Sequence, residues 1–387
     1  MTQSRTVRPD ARLGPLRSLV AAMHLVSLAM FLSPCSLLAQ TSGWTIYTPG
    51  NSGLPQELIA SIACDPGGGV WIGTGDPFGH GAGLAKFEHG TWRLWDSSNS
   101  ALPHDAIYAL APDGDGGIWI GTHGGLGGSV GGGLAHFDGS STWRVYDSSN
   151  SPLPHDNVRS LLIAEDGKLW IGTDGGFASF DGAAWGVYRR DNSQIPNNTV
   201  SALAAGDEGT IWVGTYGGGL ASFDETSWEV FNTSNSGLPN NFVYSIALDP
   251  RRRVWVGTAN TTSGVQGGGL ASFDGESWVV YTSSNSPLPH NDVYSVAIGP
   301  DGAVWTGSGE HVPASVGGLA RFDGRFWEVY DTSNSEMPFD LVYVVAIDGE
   351  GTTWAGSLNF DEPGGLVAFH RARHLPPPLR PTRRLVP

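Results

Sequence analysis

Two interleaved series of tryptophans constrain the fold more than any other feature. The first runs Trp44, Trp92, Trp143, Trp185, Trp228, Trp278 and Trp327; the second runs Trp71, Trp119, Trp170, Trp212, Trp255, Trp305 and Trp354. Each member of the second lies 27 residues after its partner, in all seven units. An Asn-Ser pair follows every first tryptophan, beginning at Asn51, Asn99, Asn150, Asn192, Asn235, Asn285 and Asn334. The unit reads W-x-(V/I/L)-aromatic, NSxLP, a short apolar run, a Gly/Asp turn, W(I/V)GT, GGL and FDG, with periods of 42 to 51 residues, in the range of propeller blades.

Within the fifth copy, NFVYSIALD, RRVWVGT, GLASF and SWEVF are short runs rich in β-branched and aromatic residues, separated by glycine, aspartate and proline turns. No helical period is visible, and 56 glycines in 387 residues suit many tight turns. Four antiparallel strands repeated seven times hide both sheet faces by packing each sheet against its neighbours around an axis. The expectation is an all-β, seven-bladed propeller, with an open solenoid as its rival. The ends favour the ring. WTIY at Trp44 to Tyr47 enters unpartnered, while GLVAF at Gly365 to Phe369 is followed by neither an FDG turn nor another Trp segment. The N-terminal strand therefore completes the last blade and removes an open sheet edge.

Three segments are expected. Residues 1 to 39 read as a signal peptide, with Arg5, Arg8, Arg12 and Arg17 before the apolar run Ser18 to Leu32 and cleavage after Ala39. Lipidation at Cys35, within LSPC, is the competing fate. Residues 40 to 369 are the propeller, and 370 to 387 a Pro/Arg-rich tail expected to be extended or disordered. The mature chain is then expected in the periplasm or outside the cell, soluble or anchored by lipid. Gln40 to Phe369 carries 12 basic and 36 acidic residues, a field that repels polyanions and speaks against nucleic acid. Cleavage leaves Cys64 without an intrachain partner.

Length variation concentrates between the second and third strands of each unit. Those loops share a face with the NSxLP linkers, and loops on a rigid scaffold commonly carry binding sites. The linkers end in Gln56-Glu57, His104-Asp105, His155-Asp156, Asn197-Asn198, Asn240-Asn241, His290-Asn291 and Phe339-Asp340. Just beyond them Tyr108, Arg159, Tyr244, Tyr294 and Tyr343 occupy equivalent positions on the inner strands. Aromatic faces beside His, Asn and Asp suit a sugar or peptide. The candidate ligand-binding set is therefore His104, Asp105, Tyr108, His155, Asp156, Arg159, Asn197, Asn240, Tyr244, His290, Tyr294, Asp340 and Tyr343. For the polar pairs, turn capping is the competing role. The Asn-Ser pairs read as Asx-type turns. The histidines of different blades are spaced too widely for a metal collar, and no phosphate loop, G-x-S-x-G, H-E-x-x-H or spaced cysteine set occurs. No cofactor is expected.

The recurring inner strand, W(I/V)GT, GGL, FDG and NSxLP pattern resembles the two-component regulator propeller repeat, over Trp44 to Phe369. The resemblance implies an extracytoplasmic sensing propeller. No transmembrane helix, kinase or regulator segment follows Phe369 in this sequence, so direct phosphorelay by this polypeptide is not expected; a separate signalling protein is a candidate partner beside a ligand on the loop-rich face. A looser architectural likeness is to the streptogramin lyase propellers. The leading expectation is an exported, non-catalytic module that binds a small ligand, glycan or protein on its loop-rich face. The alternatives are a secreted lyase or hydrolase acting there, or a structural surface protein.

Overall fold

The computed structural model describes residues 43–371 apart from 77, 126–130, 261–266, 311–315 and 359–363. The expected signal segment with Cys35, and the tail from residue 372 onward, lie outside the described residues.

Seven sheets of four antiparallel strands form, and each follows the repeat read from the sequence. In the sheet that begins with the inner strand of the fifth copy, β18 (Val243–Leu248), β19 (Val254–Thr258), β20 (Gly269–Phe273) and β21 (Trp278–Tyr281) pair in that order from the axis outward, the outermost strand coming from the Trp segment of the next copy. The innermost strands of the other sheets are β2 (Ile59–Cys64), β6 (Ile107–Pro112), β10 (Val158–Ile163), β14 (Val200–Ala205), β22 (Val293–Ile298) and β26 (Val344–Ile347). Helix is limited, among the described residues, to a single 3-10 turn at Asp207–Gly209.

Each motif answers a packing requirement. The second-series tryptophans are driven between blades: Trp71, Trp170 and Trp255 are essentially fully buried, and Trp71 packs with Ile107 and Ile118 of the next blade. Removing one such side chain would cost about 3–5 kcal/mol. The glycine of W(I/V)GT lies under the neighbouring inner strand. A Cβ on Gly73 would sit 2.6 Å from Ile107 Cγ2 and 2.8 Å from its carbonyl; one on Gly307 would sit 2.7 Å from the Val342 carbonyl. The following threonine reaches the glycine cluster, as when Thr74 Oγ1 donates to Gly83 O at 2.9 Å and Thr258 Oγ1 to Gly269 O at 2.9 Å. The phenylalanine of FDG stacks on the first-series tryptophan across the outer strand pair, with centroids 4.7 Å apart for Phe273 and Trp278.

Ring closure reproduces that last contact. Strand β1 (Gly43–Tyr47) pairs antiparallel with β28 (Leu366–His370), placing Trp44 opposite Phe369, and their rings stack at 4.4 Å. The N-terminal strand thus supplies the outermost strand of the sheet begun by β26, as the ends of the repeat array anticipated.

Candidate functional site

Six of the seven inner strands carry a β-bulge at the same place. In β2, β6, β10, β14, β18 and β22 one residue is skipped in the pairing with the next strand: Ala60, Tyr108, Arg159, Ser201, Tyr244 and Tyr294. Tyr343 holds the equivalent position just ahead of β26. A bulge re-aims the side chain it carries. Here all seven side chains line one cavity of about 300 Å³ on the propeller axis. Two residues further along, Ile62, Leu110, Leu161, Leu203 and Ile246 line it as well, adding an apolar tier.

The aromatic members touch in sequence around the axis. Tyr343 and Tyr294 have centroids 5.4 Å apart, Tyr294 and Tyr244 5.3 Å, and Tyr244 and Tyr216 5.5 Å. Tyr216 follows Thr215 at the end of β15 (Ile211–Thr215) and lines the cavity beside Ser201; its hydroxyl bonds that of Tyr244 at 2.8 Å. Burial pushes the Tyr343 phenol up to about 12 and raises those of Tyr108, Tyr244 and Tyr294. All therefore stay neutral at physiological pH and can donate or accept.

A polar cluster stands on the other side of the ring. Asp174, after β11 (Leu169–Thr173), accepts from Arg159 Nε, from Arg159 Nη2 at 3.3 Å and from Asn157 Nδ2 at 3.0 Å. His123, after β7 (Ile118–Thr122), accepts the Gly125 N–H at Nδ1 (2.9 Å), so its ring proton sits on Nε2, 3.5 Å from Asp174 Oδ2. Burial works to raise the Asp174 carboxyl, but hydrogen bonds from His123, Arg159 and Asn157 outweigh it and hold the group well below the usual carboxylate range. Burial lowers His123, against the opposing pull of Asp174. The Arg159 guanidinium lies 5.8 Å from the Tyr216 ring centroid.

The expected residues thus divide into two groups. Tyr108, Arg159, Tyr244, Tyr294 and Tyr343 meet around one cavity. The linker pairs are engaged in their own turns. His104 Nδ1 accepts the Ala106 N–H, His155 Nδ1 that of Asn157 and His290 Nδ1 that of Asp292, at 2.9 to 3.1 Å; Asn197 and Asn240 do the same for Thr199 and Phe242. Asp105 accepts from Ser97, Asp156 from Ser148 and Asp340 from Thr332, each eight residues back. The Asn-Ser pairs are structural, but they brace the preceding turn rather than form Asx turns: Asn235 Oδ1 accepts from the Asn232 N–H, three residues back, and its amide donates to Val230 O.

Asp174, Tyr216 and His123 as a cavity partner escaped the sequence reading. They follow the Thr or Ser that ends the W-x-G-(T/S) motif, where the seven copies read Gly75, His123, Asp174, Tyr216, Ala259, Gly309 and Leu358. Such variation directly after an otherwise regular motif was their available signal.

The fold is a seven-bladed propeller with an axial cavity. The model of the two component regulator propeller matches residues 101–124, 152–175, 194–217 and 237–260, each covering a linker end, an inner strand and the second strand. Four of its repeats thus match the two-component regulator propeller, as the motifs suggested. Among solved structures it is similar to the extracellular domain assigned to the hybrid two component system BT3049 of B. thetaiotaomicron, at 22% identity and a TM-score of 0.68, over 89% of this chain and 45% of that one. It is also similar to virginiamycin B lyase from Staphylococcus aureus (13% identity, TM-score 0.62, 85% of this chain, 98% of that one) and to YCF48 from Cyanidioschyzon merolae (15%, 0.53, 84% and 98%). Identities this low establish a shared fold, and the chain spans less than half the length of the two-component relative. No curated protein matches it. Among the described residues, no helix is long and apolar enough to cross a membrane.

Proposed function

We propose that this chain is an exported, non-catalytic recognition module of the sensing type, which binds a small ligand, glycan or protein at the axial site and passes the signal to a separate signalling protein. The observation carrying this reading is the ring of bulges. Six inner strands break their pairing at the same position, and the residues there line a shared cavity. Burial has left tyrosine faces and one arginine facing that space, a lining suited to holding and orienting a molecule. Binding is favoured over hydrolysis or elimination because His104, His155 and His290 each already spend Nδ1 on a backbone N–H two residues on.

A thermal-shift screen of the mature protein against oligosaccharides, peptides and small organic molecules tests the reading. Saturating ligand at a thousand times its dissociation constant adds about 4 kcal/mol. Tyr244→Ala and Tyr294→Ala should each weaken the binding found by about 1–3 kcal/mol while the fold persists. Unchanged affinity in both variants removes the axial site from the account. Turnover of a bound molecule, abolished by His104→Ala, His155→Ala or His290→Ala at unchanged affinity, replaces it with an enzyme. Mass spectrometry of the exported protein should show residues 1–39 absent or Cys35 acylated; an intact Met1 terminus would count against export.

A further inference from the structure

We propose that the axial cavity recognises a small monocarboxylate with a flat or apolar body, its carboxylate bound by Arg159 and the Tyr108 hydroxyl. This rests on the recognition reading above and narrows it.

Three observations converge. Arg159 is the one charged residue among those lining the cavity; the carboxylate that balances it, Asp174, stands behind it. Donor and acceptor accounting then separates the two members of the pair. A guanidinium has five N–H donors, and Arg159 gives two to Asp174. Asp174, in turn, accepts from Arg159 twice and from Asn157, while His123 Nε2 faces it at 3.5 Å. The pair is neutral overall, yet towards the cavity it offers donors and few free acceptors. The second observation is Tyr108, on the adjacent inner strand at the equivalent bulge. Its hydroxyl is buried and has no hydrogen-bond partner, an arrangement costly enough to need a reason. The third is size and lining. About 300 Å³, bounded by tyrosine rings and by Ile62, Leu110 and Leu161, lies at the lower end of ligand pockets and suits a single small molecule with an apolar body. One carboxylate would take up the donors that Arg159 leaves over and give the Tyr108 hydroxyl a partner, while the strongly acidic propeller body disfavours a doubly charged phosphate.

The test is calorimetry on the mature protein with benzoate, phenylacetate and hexanoate, each beside its uncharged amide, and with phenyl phosphate. The carboxylates should bind at least tenfold more tightly than the amides, and competitively with any ligand from the broad screen that Tyr244→Ala weakens. Tyr108→Phe should lower carboxylate affinity by about tenfold, the scale of a hydrogen bond to a charged group. It should leave the melting temperature unchanged or raise it, because the lost hydroxyl is buried without a partner in the protein. Arg159→Gln combined with Asp174→Asn, which avoids stranding either charge, should abolish the preference for carboxylate over amide. Equal binding of acid and amide, a preference for phenyl phosphate, no binding by any carboxylate, or a Tyr108→Phe protein with unaltered affinity would each overturn the proposal. If sugars or peptides bind the cavity while carboxylates do not, this inference fails and the recognition reading stands. If Tyr244→Ala and Tyr294→Ala leave every ligand unaffected, the axial reading itself fails.

Discussion

Asn157 and Asp292 occupy the same position, one residue ahead of an inner strand, and each closes the base of a long loop belonging to the preceding blade. Asn157 Oδ1 accepts the N–H groups of Gly124 (2.9 Å) and Gly131 (2.8 Å). Asp292 Oδ1 accepts those of Asn260 (2.7 Å) and Gly267 (2.8 Å). The other blades carry Leu58, Ala106, Thr199, Phe242 and Leu341 at this position. The loop therefore demands a single oxygen acceptor and is indifferent to the other half of the group. That other half differs in kind. The Asn157 amide donates to Asp174 and so supports Arg159 in the cavity. The second oxygen of Asp292 finds His290 Nδ1 at 3.6 Å, a nitrogen already occupied in accepting the Asp292 N–H. One clamp is wired into the axial site, the other only into its loop.

The largest effect should come from removing the group that the first clamp serves. Asp174→Ala leaves the mostly buried Arg159 without its counter-charge and should cost about 3–5 kcal/mol in denaturant unfolding. The sign of its pH dependence follows from the depressed carboxyl: the contribution is complete above the ordinary aspartate value and is lost as pH falls through the folded one. Wild type and variant should therefore converge in acid. A variant as stable as its parent at pH 7 would show that Arg159 does not depend on this partner.

Exchanging the two clamps should have unequal consequences. Asn157→Asp keeps the loop acceptor but turns a donor towards Asp174 into a second carboxylate, and repulsion in this poorly solvated place should cost on the order of 2 kcal/mol. Asp292→Asn keeps the acceptor and loses only a charge that has gained little, so stability at pH 7 should hold or rise. Equal costs for the two swaps, measured by chemical denaturation, would mean that the loops, not the site, set the requirement.

How far the sequence reached follows from the same distinction. Whatever every blade needs is repeated, and repetition made it readable: the tryptophans between blades, the glycine beneath the next inner strand, the structural role of the Asn-Ser pairs, and the missing outer strand that Trp44 supplies to Phe369. The bulge position was readable too, because Tyr108, Arg159, Tyr244, Tyr294 and Tyr343 stand out at one register among otherwise similar strands. Asp174, Tyr216, Asn157 and Asp292 were not, since each occurs in one or two blades and becomes meaningful only when two neighbouring blades are set side by side. The linker pairs show the reverse case, for their regular recurrence reflects turns in which their side-chain atoms are engaged.

The smallest effect, and the sharpest test of the comparison, is the pH dependence of the second clamp. Burial raises the Asp292 carboxyl, and the charge of Glu310 adds to this, against hydrogen bonds from Asn260 and Gly267 and the nearby His290. A folded value above the unfolded one means that the native protein holds a proton the unfolded chain has released, so stability falls as pH rises through the interval between the two. Below that interval both states are protonated and the difference is constant; above it the native state carries the burial cost in full. Asp292→Asn cannot titrate, so the stability of wild type relative to this variant should increase as pH is lowered from 7 towards 4. The slope should be at most about 1.4 kcal/mol per pH unit. Asn157, already an amide, predicts no such term for its loop, and Asn157→Asp should introduce one of the same sign. Denaturant midpoints of the three proteins across that range decide the matter: a difference between wild type and Asp292→Asn that is flat, or that grows with rising pH, would show that the carboxylate is stabilised in its clamp and that the two loops are held by equivalent chemistry after all.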